Sequence, residues 1–331
     1  MIENLNIDFV DAMKLYGAAV RIEGVTTEVA KEAARGKAGK KRSYSHWKKM
    51  GVAYTREMGL EWALTEVNNS RGSELPGMVN IHVLSQLYRQ LSKNWEKMAG
   101  EHVKCVLAAC DNFLEEVLTY ATPEQGQEIA KKLRGRRIVK HMDAASDAAF
   151  AVLGQIAADE RNLPKTYSKG LLDGVLHARN KKAMAVIGKL VGQQNDAFHG
   201  GYRAAEQRQA VDMQSVESGA IQAYKQMDPD DVAADETLVY VSAYFHTALD
   251  FWIDAVTKQV IERSIVKDIP DIISVEWVTN MKEVELKKIA AESEAIQAKR
   301  SGLVATVEKM TNGLEKFSDE LAGLYDPLPS Y

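Results

Sequence analysis

Cysteine is nearly absent from this sequence: Cys105 and Cys110 are the only two in 331 residues. A disulfide framework is therefore not expected, and the five-residue spacing does not bring the pair onto one helical face as a spacing of three or four would. Two small buried thiols in a reducing compartment is the expectation. Histidine is also sparse, with 7 scattered residues and no His-x-x-x-His, so no metal site is expected. With 7 prolines and 7% aromatic residues there is little to break helices and little to build strands. No uninterrupted apolar run approaches the ~18 residues of a membrane span, and no charged-then-apolar leader opens the chain. Cytosolic residence is the expectation. The formal net charge of -4 exerts no global pull on nucleic acid or an anionic surface.

Catalytic signatures are missing as well. A phosphate-binding Gly-x-x-x-x-Gly-Lys-Ser/Thr loop cradles phosphates with backbone amides and holds Mg²⁺ with its hydroxyl. The nearest fragments, Gly36-Lys37-Ala38, Gly39-Lys40-Lys41 and Gly188-Lys189-Leu190, lack the hydroxyl. A Gly-x-Ser-x-Gly elbow, a His-Glu-x-x-His pair and a dinucleotide fingerprint are also lacking. Adjacent acids such as Glu115-Glu116 and Asp159-Glu160 diverge on a helix and read as solvated faces. No cofactor and no catalytic residue is expected, and an enzyme with an unfamiliar helical site has no sequence feature in its favour.

Helical periodicity fills what remains. Leu5, Phe9, Met13, Tyr16 and Val20 draw one stripe over residues 2–20. A second helix is predicted from about Tyr44 to Asn69, and a very long one from an Asn80 cap to Leu118. Further helices are predicted over 124–158, with an Ala-rich packing face, from Thr166 to Val191, and from Val211 to Met227. Asp228 is expected to cap a strong helix carrying Phe245, Leu249, Trp252, Val256 and Val260 on one stripe. Finally Leu286, Ile289, Ser293, Ile296, Arg300, Leu303, Val307, Met310 and Leu314 alternate steps of three and four as a heptad seam. Ser293 and Arg300 interrupt it, so packing on another helix of the same chain is expected rather than a free coiled coil.

Two basic clusters stand out. One holds Lys37, Lys40, Lys41 and Arg42 with Lys48 and Lys49; the other runs from Lys131 to Lys140. Each could neutralise phosphates, at about 1 kcal/mol per cation near an anionic membrane. Tyr44 and Trp47 beside the first cluster are too few for a base-stacking surface and are expected to anchor a helix start, so nucleic acid is disfavoured.

Arg71-Gly72-Ser73-Glu74-Leu75-Pro76-Gly77 breaks the helical pattern: Gly72 and Gly77 admit backbone angles closed to other residues, and Pro76 biases Leu75 away from helix. The string resembles the Arg-Gly-Arg-Glu-Leu-Pro-Gly loop that interrupts the first stalk helix of dynamin-like proteins, especially the myxovirus-resistance proteins and their fungal relatives, with Ser73 in place of the second arginine. Three further segments resemble the family in the same order. Asp159-Glu160-Arg161-Asn162-Leu163-Pro164-Lys165-Thr166-Tyr167 is similar to the junction between two stalk helices. Tyr244-Phe245-His246 through Phe251, Asp254, Val256, Gln259, Val260 and Glu262-Arg263 looks like the opening helix of the GTPase effector domain. Ala291-Glu292-Ser293-Glu294 with Lys299-Arg300 resembles that domain's terminal segment.

The resemblance implies an all-α chain: an elongated antiparallel helical bundle of the dynamin stalk type, with a smaller bundle formed by the N- and C-terminal helices, and no GTPase domain. The implied divisions are 1–22 with 283–317 as the small bundle, 23–45 as a basic hinge connector, 46–282 as stalk and 318–331 as tail. The seam of the last helix would face Leu5, Phe9, Met13 and Tyr16, leaving part of both stripes exposed. The implied role is non-catalytic: self-assembly through the stalk with the Arg71–Gly77 loop as an assembly contact, co-assembly with a full-length dynamin-like GTPase, and membrane remodelling. Lys37, Lys40, Lys41 and Arg42 are the candidates for touching an anionic membrane surface, which would make the protein peripheral on membranes. The alternative reading is a helical adaptor that binds lipid or nucleic acid through those basic residues, for which a steep salt dependence would be diagnostic.

Overall fold

The computed structural model describes residues 1–23, 25–26, 51–70, 78–122, 126–198, 218, 221, 228–292 and 294–324. It is mostly helical, 83% helix and 2% strand, in keeping with the all-α expectation. The chain forms two compact units, one of residues 1–117 with 138–270 and one of residues 118–137 with 271–331.

The first unit opens with α1, Ile2–Tyr16, which stops where the Gly17 amide bonds back to the Met13 carbonyl at 2.8 Å. The helix expected to reach Val20 is therefore shorter. Val20–Ile22 instead forms strand β1, paired in parallel with β2, Val52–Tyr54, in the register Val20↔Val52 and Ile22↔Tyr54. The β-branched residues at both ends of β1 favour that extended backbone. The Arg21 guanidinium donates to the Gly51 carbonyl at 3.0 Å, and the Ala19 amide to the Leu91 carbonyl at 2.8 Å. Of the helix expected from Tyr44 to Asn69, residues 44–50 lie outside the described residues, Val52–Tyr54 is strand, and Thr55 caps α2, Arg56–Asn69, by accepting from the Met58 amide. Gly59 lets α2 lie against β1. A Cβ there would fall 2.6 Å from Cγ2 of the fully buried, stiff Ile22.

Asn80 caps the next helix as anticipated, accepting from the His82 amide at 2.7 Å. The long helix is nevertheless cut in two, α3 Ile81–Leu91 and α4 Trp95–Ala121. At the cut the Ser92 hydroxyl donates to the Tyr88 carbonyl, and Trp95 sends its indole N–H to the Gly17 carbonyl at 3.0 Å. In the same unit α6, Val139–Glu160, precedes α7, Gly170–Phe198, whose start lies later than Thr166 because Thr166 and Ser168 use their hydroxyls to accept from the Ser168 and Gly170 amides. Asp228 caps α8, Pro229–Ala255, with Pro229 in the first turn, and the helix continues as a π-helical segment, Val256–Val266.

The predicted stripe of α8 is the core. Phe245, Leu249, Trp252, Val256 and Val260 are all buried. Trp95 meets Tyr88, Phe245 and Trp252 with ring centroids at 5.9, 5.4 and 5.6 Å. Helix α7 lies close on α8 where Gly174 faces Ala243, beside the cluster of Val175, Val239 and Ala243. Cys110 is buried and its thiol is pushed up to about 11 by burial; Cys105, expected inside, is exposed.

The second unit holds α5, Gln127–Leu133, a π-helical turn Arg134–Ile138 that runs into the first unit, a short 3₁₀ turn entering at Ile269–Asp271, α9 Val275–Thr279, α10 Glu283–Ala290 and α11 Glu294–Leu324. The single heptad helix of the sequence reading is thus two helices, broken at Ala291-Glu292. Ile289 is buried on α10, but the α11 seam is not: Leu303, Val307, Met310 and Leu314 are all more than half exposed. Phe9 and Met13 are fully buried within the first unit, where Phe9 stacks on His102 at 4.4 Å. Among the described residues no helix is long and apolar enough to cross a membrane.

His102 gives α1 a pH-dependent anchor. Its ring is buried, its Nε2 donates to Asn6 Oδ1 at 2.9 Å when neutral, and burial lowers its pKa to about 4. The unfolded chain takes up this proton near 6.5, the native one only near 4, so stability from this site is complete above ~6.5 and is lost as pH falls from there towards ~4. Urea unfolding at a series of pH values should show the wild type losing about 3 kcal/mol more across that interval than a His102→Gln variant. Parallel pH profiles would refute the assignment.

Candidate functional site

The Arg71–Gly77 segment, Arg71, Gly72, Ser73, Glu74, Leu75, Pro76 and Gly77, lies outside the described residues, and so do Lys37, Lys40, Lys41 and Arg42. What flanks the former is described. Helices α2 and α3 are tied side by side: the Trp62 indole donates to Gln90 Oε1 at 3.1 Å, and Gln90 Nε2 to Glu66 Oε1 at 2.9 Å. At the end bearing the loop, the Ser70 hydroxyl donates to Gln86 Oε1 at 3.0 Å and Asn80 Nδ2 to the Ser70 carbonyl at 3.3 Å. The two loop ends are therefore pinned together, and Met78 and Ile81 beside them are exposed apolar residues. The described flanks offer a contact surface beside residues 71–77, with no chemistry of their own.

The second basic cluster is largely engaged. Lys131 pairs with Glu128 at 3.3 Å, Lys132 donates to the Ala291 carbonyl at 3.0 Å, and Arg137 donates to the Ile272 carbonyl at 2.9 Å while lying 5.0 Å from the Trp277 ring centroid. These cations build the second unit, tying α5 and its π turn to α9 and to the α10–α11 junction; they do not form a continuous phosphate surface.

The structure assembles two polar clusters that sequence reading missed. In the first, Tyr88 donates to Glu160 Oε2 at 2.6 Å, and Tyr244 Oη accepts from the Lys165 amide at 3.3 Å, with the two tyrosine rings edge to face at 4.8 Å. Glu160, expected on a solvated face, is half-buried, and desolvation raises its pKa despite the tyrosine hydrogen bond. Burial likewise drives Tyr88 and Tyr244 upward, so both stay protonated. A carboxyl raised above its unfolded value costs stability as pH climbs through the interval between the two pKa values, and Tyr88 limits that cost by donating to the carboxylate. Around the cluster, a cleft of about 590 Å³ is lined by Glu160, Lys165, Thr166, Tyr167, Tyr244 and Phe251, of which Tyr167 and Phe251 are exposed. This is the junction that the Asp159–Tyr167 motif occupies. Its sequence signal was the Tyr-bearing stripe of α3 opposite a helix ending in two acids.

The second cluster joins α2, α7 and α8. Asp235 is buried and receives Arg56 Nη2 at 2.9 Å and Lys182 Nζ on its other oxygen; burial lowers the pKa of Lys182. Arg179 pairs with Glu236 at 2.7 Å one turn away. A cavity of about 600 Å³ with largely aliphatic walls, Leu60, Leu64, Leu238 and Val239 among them, adjoins this triad. Among the described residues no group of His, Cys, Asp and Glu has the arrangement of a metal site.

In the second unit, a groove of about 800 Å³ runs between α5 and α11. It is lined by Ile129 and Lys132 on one side and by Ile296, Leu303, Val304 and Val307 on the other. The remaining seam beyond it, Met310, Leu314, Phe317 and Leu321, is 42% to 70% exposed. It is a continuous exposed apolar face.

The Tyr88–Glu160 bond is testable as a double-mutant cycle. Tyr88→Phe strands a half-buried carboxylate and should cost about 1–3 kcal/mol near neutral pH. Adding Glu160→Gln removes the stranded charge and should return most of that loss. Denaturant unfolding of the four proteins measures it; additive effects would show that the two side chains do not interact.

Comparison of the chain with protein-family models, with curated proteins and with solved structures finds no match.

Proposed function

We propose that this chain is a non-catalytic, dynamin-like stalk and effector protein that acts by self-assembly and co-assembles with a dynamin-like GTPase in membrane remodelling. The observation that carries the reading is the agreement between the four family-like segments and the helical plan. The Arg71–Gly77 loop falls between two helices tied side by side. The Asp159–Tyr167 segment spans the end of α6 and the turn before α7. Tyr244 to Arg263 lies on the central helix and its π-helical extension, and Ala291 to Arg300 spans the α10–α11 junction. Four segments in family order, two of them flanking or spanning the ends of helices α2, α3, α6 and α7, support a stalk built on α2, α3, α7 and α8. The contacts of α8 with α2, α3 and α7 fit that plan.

In this reading the chain catalyses nothing. Its sequence supplies neither the phosphate-cradling loop nor the Mg²⁺-binding hydroxyl that phosphoryl transfer needs. The function lies in surfaces, and the Arg71–Gly77 segment with its tied flanks is the first of them. A stalk pairing with itself places the same patch on both partners, so one substitution acts twice at each interface. Lys37, Lys40, Lys41 and Arg42 would supply the anionic membrane contact. The adaptor reading gains nothing from the second basic cluster, whose best-placed cations are already bound to backbone carbonyls.

Two outcomes are expected. Equilibrium binding with a fluorescent GTP analogue should show no saturation at micromolar concentration, and saturable binding would overturn the reading. Gly72→Asp places a charged side chain at the assembly loop, so it should leave the circular dichroism spectrum unchanged and weaken concentration-dependent self-association. Sedimentation over a hundredfold concentration range decides it: a wild type that remains monomeric, or a mutant that assembles unchanged, removes the stalk-assembly claim.

A further inference from the structure

Helix α11 is 31 residues long, and its apolar stripe has no cover over most of its length. Leu303, Val304, Val307, Met310, Leu314 and Phe317 are 58% to 70% exposed. Gly302 and Gly313 lie inside it with nothing near them, and each weakens a helix interior. A helix of this composition is marginal in water by itself and gains its stability from a packed stripe. The spacing says what kind of packing. From Ile296 the seam steps through Arg300, Leu303, Val307, Met310, Leu314 and Phe317 to Leu321 in strict alternation of four and three. Ile296, Leu303, Met310 and Phe317 hold the d positions, and Arg300, Val307, Leu314 and Leu321 the a positions.

We propose that α11 is a homodimerisation helix that pairs with α11 of a second copy of this chain as an antiparallel coiled coil. Parallel pairing would put Arg300 against its own copy in an apolar seam, with like charges face to face. Antiparallel pairing sets a positions against d positions. Val307 then meets the second copy's Met310, Leu303 its Leu314, Ile296 its Leu321, and Arg300 the face of its Phe317, a favourable place for a guanidinium. The same alignment brings Lys299 at a g position beside the second copy's Glu320, also at g. By two-fold symmetry this opposite-charge contact occurs twice. Both residues are exposed on the single chain. Arg300, which reaches Glu292 at 3.1 Å on its own chain, sits one layer from the end of the seam, where its long side chain can carry the head group out to water. The groove between α5 and α11 continues the seat: Ile129 and Lys132 flank the half of the seam that receives the acidic C-terminal half of the second helix, with its Glu315, Asp319 and Glu320.

This surface differs from the stalk loop, and orientation-specific cross-linking tests it in the full chain. Leu303→Cys and Leu314→Cys variants are made separately on a Cys105→Ser, Cys110→Ala background, mixed in equal amounts and oxidised. The expected product joins position 303 to position 314. Little 303–303 product is expected, because antiparallel pairing holds those positions about 16 Å apart along the axis. Lys299→Glu and Glu320→Lys should each weaken the dimer about three- to tenfold in Kd by sedimentation, and the double variant should recover it. Leu314→Asp should abolish it while circular dichroism reports the first unit intact. A dominant 303–303 product, indifference to the charge reversals, or no cross-link at concentrations where the chain self-associates would each overturn the proposal. The last result would leave the stalk reading standing. A chain made wholly monomeric by Leu314→Asp and unaffected by Gly72→Asp would support α11 pairing and remove the stalk-loop claim instead. A chain monomeric throughout would overturn this proposal.

Discussion

The first unit turns on one indole. Trp95 is almost wholly buried; its N–H donates to the Gly17 carbonyl, and its rings lie against Tyr88, Phe245 and Trp252. That single side chain joins the residue that ends α1, the helix before the cut at Ser92, and the central helix α8. A buried indole needs an acceptor, and the free carbonyl just past the end of α1 supplies one, so two unsatisfied groups answer each other. The break between α3 and α4 follows from the same contact. Without a turn at Ser92–Asn94 the indole could not stand at the head of α4 and reach Gly17.

Around this apolar centre the buried polar groups act as fasteners between elements that hydrophobic packing alone would leave free to slide. Asp235 fixes the rotation of α8 against α2 and α7 by taking one cation from each, and a buried carboxylate left without them would be strongly unfavourable. Glu160 fixes the end of α6 against α3 through Tyr88. His102 fixes α1 against α4 through Asn6 and the face of Phe9. Ridge-and-groove packing of small residues permits close approach but discriminates weakly between neighbouring registers, and a hydrogen bond at one position does so sharply.

The sequence made the helices legible because a 3.6-residue period survives whatever the helix packs on. The caps at Asn80 and Asp228 were legible too, since a capping side chain bonds two or three residues away and needs no tertiary partner. The strand pair was hidden: three residues are too few to display alternation, and β1 pairs with β2 across thirty-odd residues of chain. The cut at Ser92 carries no glycine or proline and is imposed by a partner 78 positions away. Of the candidate sites, Glu160 shows the limit most plainly. Beside Asp159 it looks like half of a solvated acidic pair, and only the approach of Tyr88, 72 residues earlier, makes it a half-buried acceptor.

Helices α8 and α11 share one kind of stripe and meet opposite fates. Apolar residues at steps of three and four bury Phe245, Leu249 and Trp252 on α8 and leave Leu303, Val307 and Leu314 facing water on α11. Periodicity specifies that a face wants covering; it does not say by what. On α8 the residues between the stripe positions are also apolar or small, among them Val239, Val241, Ala243 and Ala248, so the helix can be enclosed on several sides by elements of its own unit. On α11 the flanks are Lys299, Glu308, Lys309, Glu315, Lys316 and Glu320, and enclosure on more than one side would strand those charges. A narrow apolar seam between charged flanks is the pattern that a single second helix satisfies. That difference in the flanking residues, visible in the sequence once burial is known, separates a helix built for the interior of its own chain from one built for an interface.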